Sequence, residues 1–324
     1  MNYFNKIYNP ILFQGEGKNR GYFEGWYFKL VDKNGKRPLA IIPGISFALN
    51  KDDSHSFIQI LDGGTGQSIY YRLPLDVFQA EKNPFAITLG QNRFSLSGLT
   101  LDLNDQNVEI KGSVNFGATN PWPITLFSPG AMGPFAFLPG LECYHGVLSF
   151  DHPLSGELNI NGDKIDFSGG RGYIEKDWGS SMPQAWVWMQ SNTFEVAGAS
   201  LSVSIARVPW MGFSFVGFII GFLCEGKQYR FATYTGAKLK NLKVSGGKVS
   251  FEVADGNFRL TVEATGEKEG AFLAAPMIGS MTGRIKESLR AVVKATLFRK
   301  TEKGWFEFFS GTGRCAGLEI VGNL

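Results

Sequence analysis

Hydrophobic positions in this chain recur at every second residue over most of its length. Phe85, Ile87 and Leu89 alternate with small or polar neighbours, as do Leu99, Leu101 and Leu103. Val249, Phe251 and Val253 lead through an ADGN turn to Phe258, Leu260 and Val262. A period of two places residues i and i+2 on one face of a strand, so each run predicts a half-buried β-strand. LNINGDKIDF sets Asn-Gly between two such runs, the signal of a two-residue hairpin. SLRAVVKATLF could pass for a helix by composition. Its Leu289, Ala291, Val293, Ala295 and Leu297 alternate instead, and a strand is expected. No amphipathic helix of about four turns is evident. Val208–Cys224 carries no charge, but it is short for a membrane span and broken by Pro209, Gly212, Gly217 and Gly221. It is expected as two buried strands.

The two halves resemble each other. GWYFKL and AWVWMQ open them, and IIPGISFA and SLSVSIAR follow. QSIYYRLP and KQYRFATY come next, then a pair of alternating strands in each half. The copies close with SGGRGYIEKDWG and SGTGRCAGLEIVG. This pattern implies a tandem pseudo-repeat of two antiparallel β-domains, 1–182 and 183–324, each barrel-like or a sandwich. The first copy's ending carries Tyr173, Glu175, Asp177 and Trp178, whereas the second retains only Glu319. Chemistry is therefore expected around the first copy's last strand and the strand that follows it.

Composition narrows the classes. The chain has 324 residues, enough for a large core, with 19% charged residues against about 25% in ordinary soluble proteins. Its 28 Phe and 41 Gly suit a β-protein with apolar cavities. A net charge of +3 without a long basic run argues against nucleic acid as partner. Cys143, Cys224 and Cys315 are odd in number and widely spaced, which fits a reducing compartment rather than a disulfide framework. MNYFNKIYNP lacks the basic and apolar regions of a signal peptide, so a cytoplasmic location is expected, with transient membrane-surface contact as a secondary expectation.

Three segments concentrate candidate chemistry. On a strand, Arg171, Tyr173, Glu175 and Asp177 share a face. Two carboxylates this close repel, which raises the pKa of one of them and suits a general acid. The competing reading is a solvated face neutralised by Arg171 or Lys176. Trp186, Trp188, Gln190 and Asn192 share another face and suit an apolar pocket with polar anchors, or else plain core. In GYFEGWYFKL, Tyr22, Glu24, Trp26 and Phe28 share a face, so Glu24 is either paired in a core or lines a cavity. ECYHGVLSF adds His145 as a base, a hydrogen-bond donor or a structural histidine. With only three histidines no metal site is expected. GFLCEGKQ lacks the Ser/Thr of a phosphate-binding loop, and GEGKNRG lacks the strand and helix of a dinucleotide fingerprint.

GYFEGWYFKL and YIEKDWGSSMPQAWVWMQSNTF, with the later EGKQYRFATYTG, resemble the signatures of the tocopherol cyclase family over roughly residues 20–322. The resemblance implies two lipocalin-like β-barrel domains, similar to carotenoid hydratases, and no cofactor. It implies an isomerase that protonates the prenyl double bond of a hydroquinone, whose phenol oxygen then closes a chromanol ring. Under that reading Glu175 or Asp177 is the acid and Glu24 the second choice. Trp26, Trp178, Trp186 and Trp188 form aromatic walls, and Tyr173, Gln190, Asn192 and His145 orient a hydrophobic ligand. Two alternatives are a hydratase or cyclase of another terpenoid or carotenoid lipid, in the hydratase case with water capturing the cation, and a non-catalytic lipid-binding protein.

Overall fold

The computed structural model describes residues 3–104, 108–210, 212–267 and 270–324. The chain divides into two compact units, Met1–Met182 with Leu273–Ile285, and Pro183–Phe272 with Lys286–Leu324. The sequence division at 182/183 does not include the returning segment 273–285. Among the described residues the strands build two large antiparallel sheets of 12 and 11 strands, the all-β class that the alternation predicts.

The two sheets share one plan. In the first unit Gln67–Leu73, His55–Asp62, Leu39–Phe47 and Tyr22–Val31 lie side by side, each next to its sequence neighbour. Tyr22–Val31 then pairs with Arg171–Gly179, the unit's last strand, which pairs in turn with Cys143–Ile160 and onward to Glu109–Phe116. In the second unit Lys227–Ala232, Phe213–Cys224, Ser200–Trp210 and Trp186–Ser191 repeat the opening ladder. Trp186–Ser191 likewise pairs with the closing strand, Gly304–Val321, and that strand with Ser280–Thr301. SLRAVVKATLF therefore lies within a strand, as its alternation predicts. Both described paths are open, ending in the first sheet at Gln67–Leu73 and Phe78–Lys82.

Local chemistry accounts for the turns. Asn161 and Gly162 both have positive φ, 54° and 87°, the paired left-handed geometry of a tight hairpin turn. Gly179 ends its strand at φ 152°, where a Cβ would stand 2.1 Å from the Glu142 carbonyl oxygen, so the glycine of EKDWG is set by backbone approach. Val208–Cys224 does form two strands, but only the part far from the turn is buried, and Phe213 at the turn is 82% exposed.

Each sheet has one face on an apolar core. Trp26, Phe28, Leu30, Ile41, Ile58 and Ile174 belong to the core of the first unit. Val187, Met189, Leu201, Val203 and Phe222 belong to that of the second. In the first unit the opposite face is also buried and is polar. Gln59, Ser46, Lys29 and Glu175 project from it. The returning segment covers part of this face. Gln59 accepts from the Ala274 amide at 2.7 Å and donates to its carbonyl at 3.3 Å, and Ser46 Oγ donates to the Gly279 carbonyl at 2.5 Å.

Candidate active site

Register decides which candidates meet. Asp177 pairs with His145 on one side and Gly25 on the other, and Glu175 pairs with Val147 and Tyr27. Tyr173 pairs with Lys29. Side chains of paired residues in an antiparallel ladder project to the same face. Tyr173, Glu175, Asp177, His145, Tyr27 and Lys29 therefore share the polar face. Lys176 pairs with Trp26, and Trp178 with Glu24 and Tyr144, on the core face. The two acid-bearing strands point their acids in opposite directions.

On the polar face His145 Nδ1 lies 2.9 Å from Asp177 Oδ1, and Nε2 lies 3.9 Å from Glu175 Oε2. The carboxylate can only accept at that distance, so Nδ1 carries a proton and Nε2 is the nitrogen left to exchange one. Nε2 is buried and has no hydrogen-bond partner among the described residues. The Tyr173 hydroxyl donates to Glu175 Oε2 at 2.5 Å. Burial pushes the His145 pKa down. The charge and hydrogen bond of Asp177, reinforced by Glu175, outweigh it and raise the value to about 9. His145 is thus an imidazolium at neutral pH, held between two carboxylates. The donor atoms of His145, Glu175 and Asp177 lie within 4.8 Å of one another, close enough for a divalent cation. The His145–Asp177 and Tyr173–Glu175 hydrogen bonds also equip the cluster as a proton network.

Neither base that could have neutralised these acids does so. Arg171 turns to Asp151, with Nε donating at 2.8 Å. Lys176 lies on the core face, 2.6 Å from Glu24 Oε1, with Nζ donating to the Pro10 and Leu12 carbonyls. Nζ also sits over the Trp26 and Trp178 rings, at 4.8 and 4.7 Å. Burial lowers its pKa to about 8 against the pull of Glu24. Glu24 further accepts from the Tyr22 hydroxyl at 2.5 Å and from the Gln14 and Gly15 amides. Its oxygens hold the N-terminal segment on the sheet, on the face opposite Glu175 and Asp177. Trp26, fully buried with Nε1 on the Ile11 carbonyl, is core and not a wall for Glu175. Trp178 stacks on Tyr144 at 5.6 Å.

In the second unit Trp186, Trp188, Gln190 and Asn192 are buried on the face opposite Val187 and Met189. Trp186 Nε1 donates to Glu319 Oε2 at 2.7 Å. Glu319 pairs in register with both Trp188 and Glu287. Glu287, fully buried, escaped the sequence reading as a lone acid, although simple alternation puts it on the face of Leu289, and the strand register shifts between Ser288 and Ala291. Lys29 escaped as a lone cation in an aromatic strand, although a buried lysine there signals acids nearby.

A cavity of about 430 Å³ opens at the strand ends of the first unit. His145, Tyr144, Trp178, Tyr22 and Met132 line it, with Lys6, Lys18 and Arg20. Of the proton network, His145 is the member on this wall.

A sequence model of the family described as tocopherol cyclase-like matches residues 107–322, the span that holds this network. The chain belongs to the tocopherol cyclase-like family. It is 28% identical over 188 residues to the rice (Oryza sativa subsp. japonica) protein named "Probable tocopherol cyclase, chloroplastic", covering 56% of this chain and 38% of that one. It is 27% identical over 198 residues to the maize (Zea mays) "Tocopherol cyclase, chloroplastic", covering 59% of this chain and 41% of that one. The match therefore spans about two fifths of these relatives' length. The crystal structure of CghA superposes with a TM-score of 0.57 over 94% of this chain and 90% of that one, at 9% identity, a likeness of fold alone. His145, Tyr173, Glu175, Asp177 and the three tryptophans 178, 186 and 188 fall inside the tocopherol cyclase-like match, whereas Glu24 and Trp26 precede it.

Proposed function

We propose that this protein is an isomerase that cyclises a prenylated hydroquinone, with His145, Glu175 and Asp177 handling a single proton. The observation that carries this reading is the buried His145. It is bonded through Nδ1 to Asp177, its Nε2 lies 3.9 Å from Glu175, and the residue lines the cavity. Family membership and the names of the plant relatives support cyclase chemistry.

The cycle starts with His145 charged and Glu175 ionised. A hydrophobic ligand filling the cavity expels water. The Nε2 proton of His145 passes to the less substituted carbon of the prenyl double bond and leaves a tertiary cation, with the Glu175 carboxylate behind the imidazole, 3.9 Å from Nε2. The phenol oxygen attacks that cation and forms the new C–O bond. The phenol proton goes to neutral His145, which restores the imidazolium. No atom is gained or lost, so the reaction is an isomerisation without a co-reactant. Asp177 keeps Nδ1 protonated throughout, so exchange takes place at Nε2.

Purified protein incubated with a prenylated hydroquinone should give a product of unchanged mass. His145→Gln should lower its rate by about 10²–10⁴-fold, the usual share of a general acid, and Glu175→Gln should lower it as well. A product heavier by one water would mean that water captures the cation, and tight binding without turnover would mean a lipid carrier. Full activity in Glu175→Gln would remove Glu175 from the mechanism.

A further inference from the structure

Ile124, Leu126 and Phe127 are 48%, 68% and 77% exposed. They sit in a small antiparallel turn in which Ile124–Thr125 pairs with Ser128–Pro129. The turn is held through its backbone, since the Tyr8 hydroxyl donates to the Leu126 carbonyl at 2.7 Å, while the Tyr8 ring packs edge-on to Phe137. Its apolar side chains are left in water. Single exposed apolar residues need no explanation, but several at one braced tip mark a contact surface. Two residues beyond Phe127, Pro129 lines the cavity, followed by Ala131 and Met132.

The same cavity is bordered by exposed Lys18 and Arg20 and by Lys6. The acid among its lining residues, Glu16, is already engaged by Lys82 at 3.1 Å and by Lys6 at 3.9 Å. The rim therefore carries a positive surplus beside an apolar tip. Acyl chains accept the apolar side chains, and anionic headgroups meet the cations.

We propose that the Leu126–Phe127 tip and the Lys18/Arg20 rim dock the cavity of the first unit onto an anionic lipid bilayer, from which the hydrophobic ligand enters. The identity of that ligand rests on the function proposed above, but the docking does not. This turn is the place of the membrane-surface contact expected from the sequence.

Co-sedimentation of the full chain with vesicles tests this without any substrate. The wild type should bind vesicles of phosphatidylcholine with phosphatidylglycerol, less so in high salt, and bind phosphatidylcholine alone weakly. Leu126→Ser with Phe127→Ser should reduce binding about tenfold with an unchanged melting temperature. Lys18→Gln with Arg20→Gln should remove the preference for the anionic vesicles. Turnover of detergent-dispersed hydroquinone by the double serine variant should match wild type, while turnover of vesicle-borne hydroquinone should fall. Wild-type protein that ignores both vesicles, or a double serine variant that binds them unchanged, would overturn the proposal. So would light scattering that shows a wild-type dimer turned monomeric by the serines with vesicle binding intact, because the tip would then be seated on a second copy. Failure of cyclisation with vesicle binding preserved would count against the proposed chemistry and not against the docking.

Discussion

His145 is useful because opposing effects on its charge are large and unequal. Burial alone would strip its proton, as it does for His152, whose pKa falls to about 4. Asp177 at 2.9 Å and Glu175 at 3.9 Å reverse the outcome and hold the imidazolium up to about pH 9. If this proton feeds the reaction, kcat/KM should be flat through neutral pH and fall as pH rises through about 9. Removing the Asp177 charge takes away the largest favourable influence on the imidazolium. Asp177→Asn should therefore move the alkaline fall toward lower pH by at least about one unit. A pH–rate profile of the two proteins checks this, and an unmoved alkaline limb in Asp177→Asn would mean that another group titrates there. The sequence exposed the ingredients, since Glu175, Asp177 and Tyr173 share a face by simple alternation. It did not expose the partner, because His145 lies 32 residues away from Asp177 and only strand pairing brings them together.

The strands Tyr22–Val31 and Arg171–Gly179 show how one element can serve two chemistries. Glu24 and Lys176 bind the strands and the N-terminal segment on the core face, while Glu175 and Asp177 face the other way. Alternation alone groups Tyr22, Glu24, Trp26 and Phe28 correctly, but it does not say which group faces which surroundings. That information is missing because strands buried on both faces lose the contrast between apolar and polar positions. Tyr22–Val31 and His55–Asp62 are buried along nearly all of their length. The Asn-Gly hairpin and the tandem strand order were legible, because turn chemistry and period depend only on neighbours in sequence. The two acids should also differ in the laboratory. Glu24→Gln removes the charge that holds buried Lys176 protonated and should cost about 3–5 kcal/mol by denaturant titration. Glu24→Gln with Lys176→Met should recover part of that loss, and folded Glu24→Gln should keep the alkaline limb of the wild type. A collapse of activity in folded Glu24→Gln would make Glu24 an acid of the reaction.

Across the whole molecule the same sheet plan is used twice, and the titrating histidines of the first copy set its response to pH. His152 and His145 both stand on Cys143–Ile160 and shift in opposite directions. His152 packs against Phe116 with Nδ1 on Ser149 Oγ, and burial holds it neutral. The unfolded chain takes up a proton below about 6.5, whereas the folded chain resists until about 4. Folding stability from this residue is complete above about 6.5 and is lost as pH falls toward 4. For His145 the folded value lies above the unfolded one, so its contribution is complete below about 6.5 and is lost as pH rises through about 9. Each shift corresponds to on the order of 3 kcal/mol at about 1.4 kcal/mol per unit. Stability measured by thermal melting should therefore decline on the acid side of about pH 6.5 and between about pH 6.5 and 8; above about 8 buried Lys176, which is neutral in the folded chain before the unfolded one, offsets the His145 loss. His152→Gln removes its own part of the acid-side titration and leaves that of His55, whose pKa burial also lowers. Whatever it costs at pH 7, the slope of its melting temperature between pH 6.5 and 4 should flatten, while the alkaline slope stays as in wild type. Asp177→Asn should flatten the alkaline slope and leave the acid one. If both slopes survive both substitutions, the histidines of Cys143–Ile160 do not govern the pH response, and carboxylates elsewhere in the sheets must.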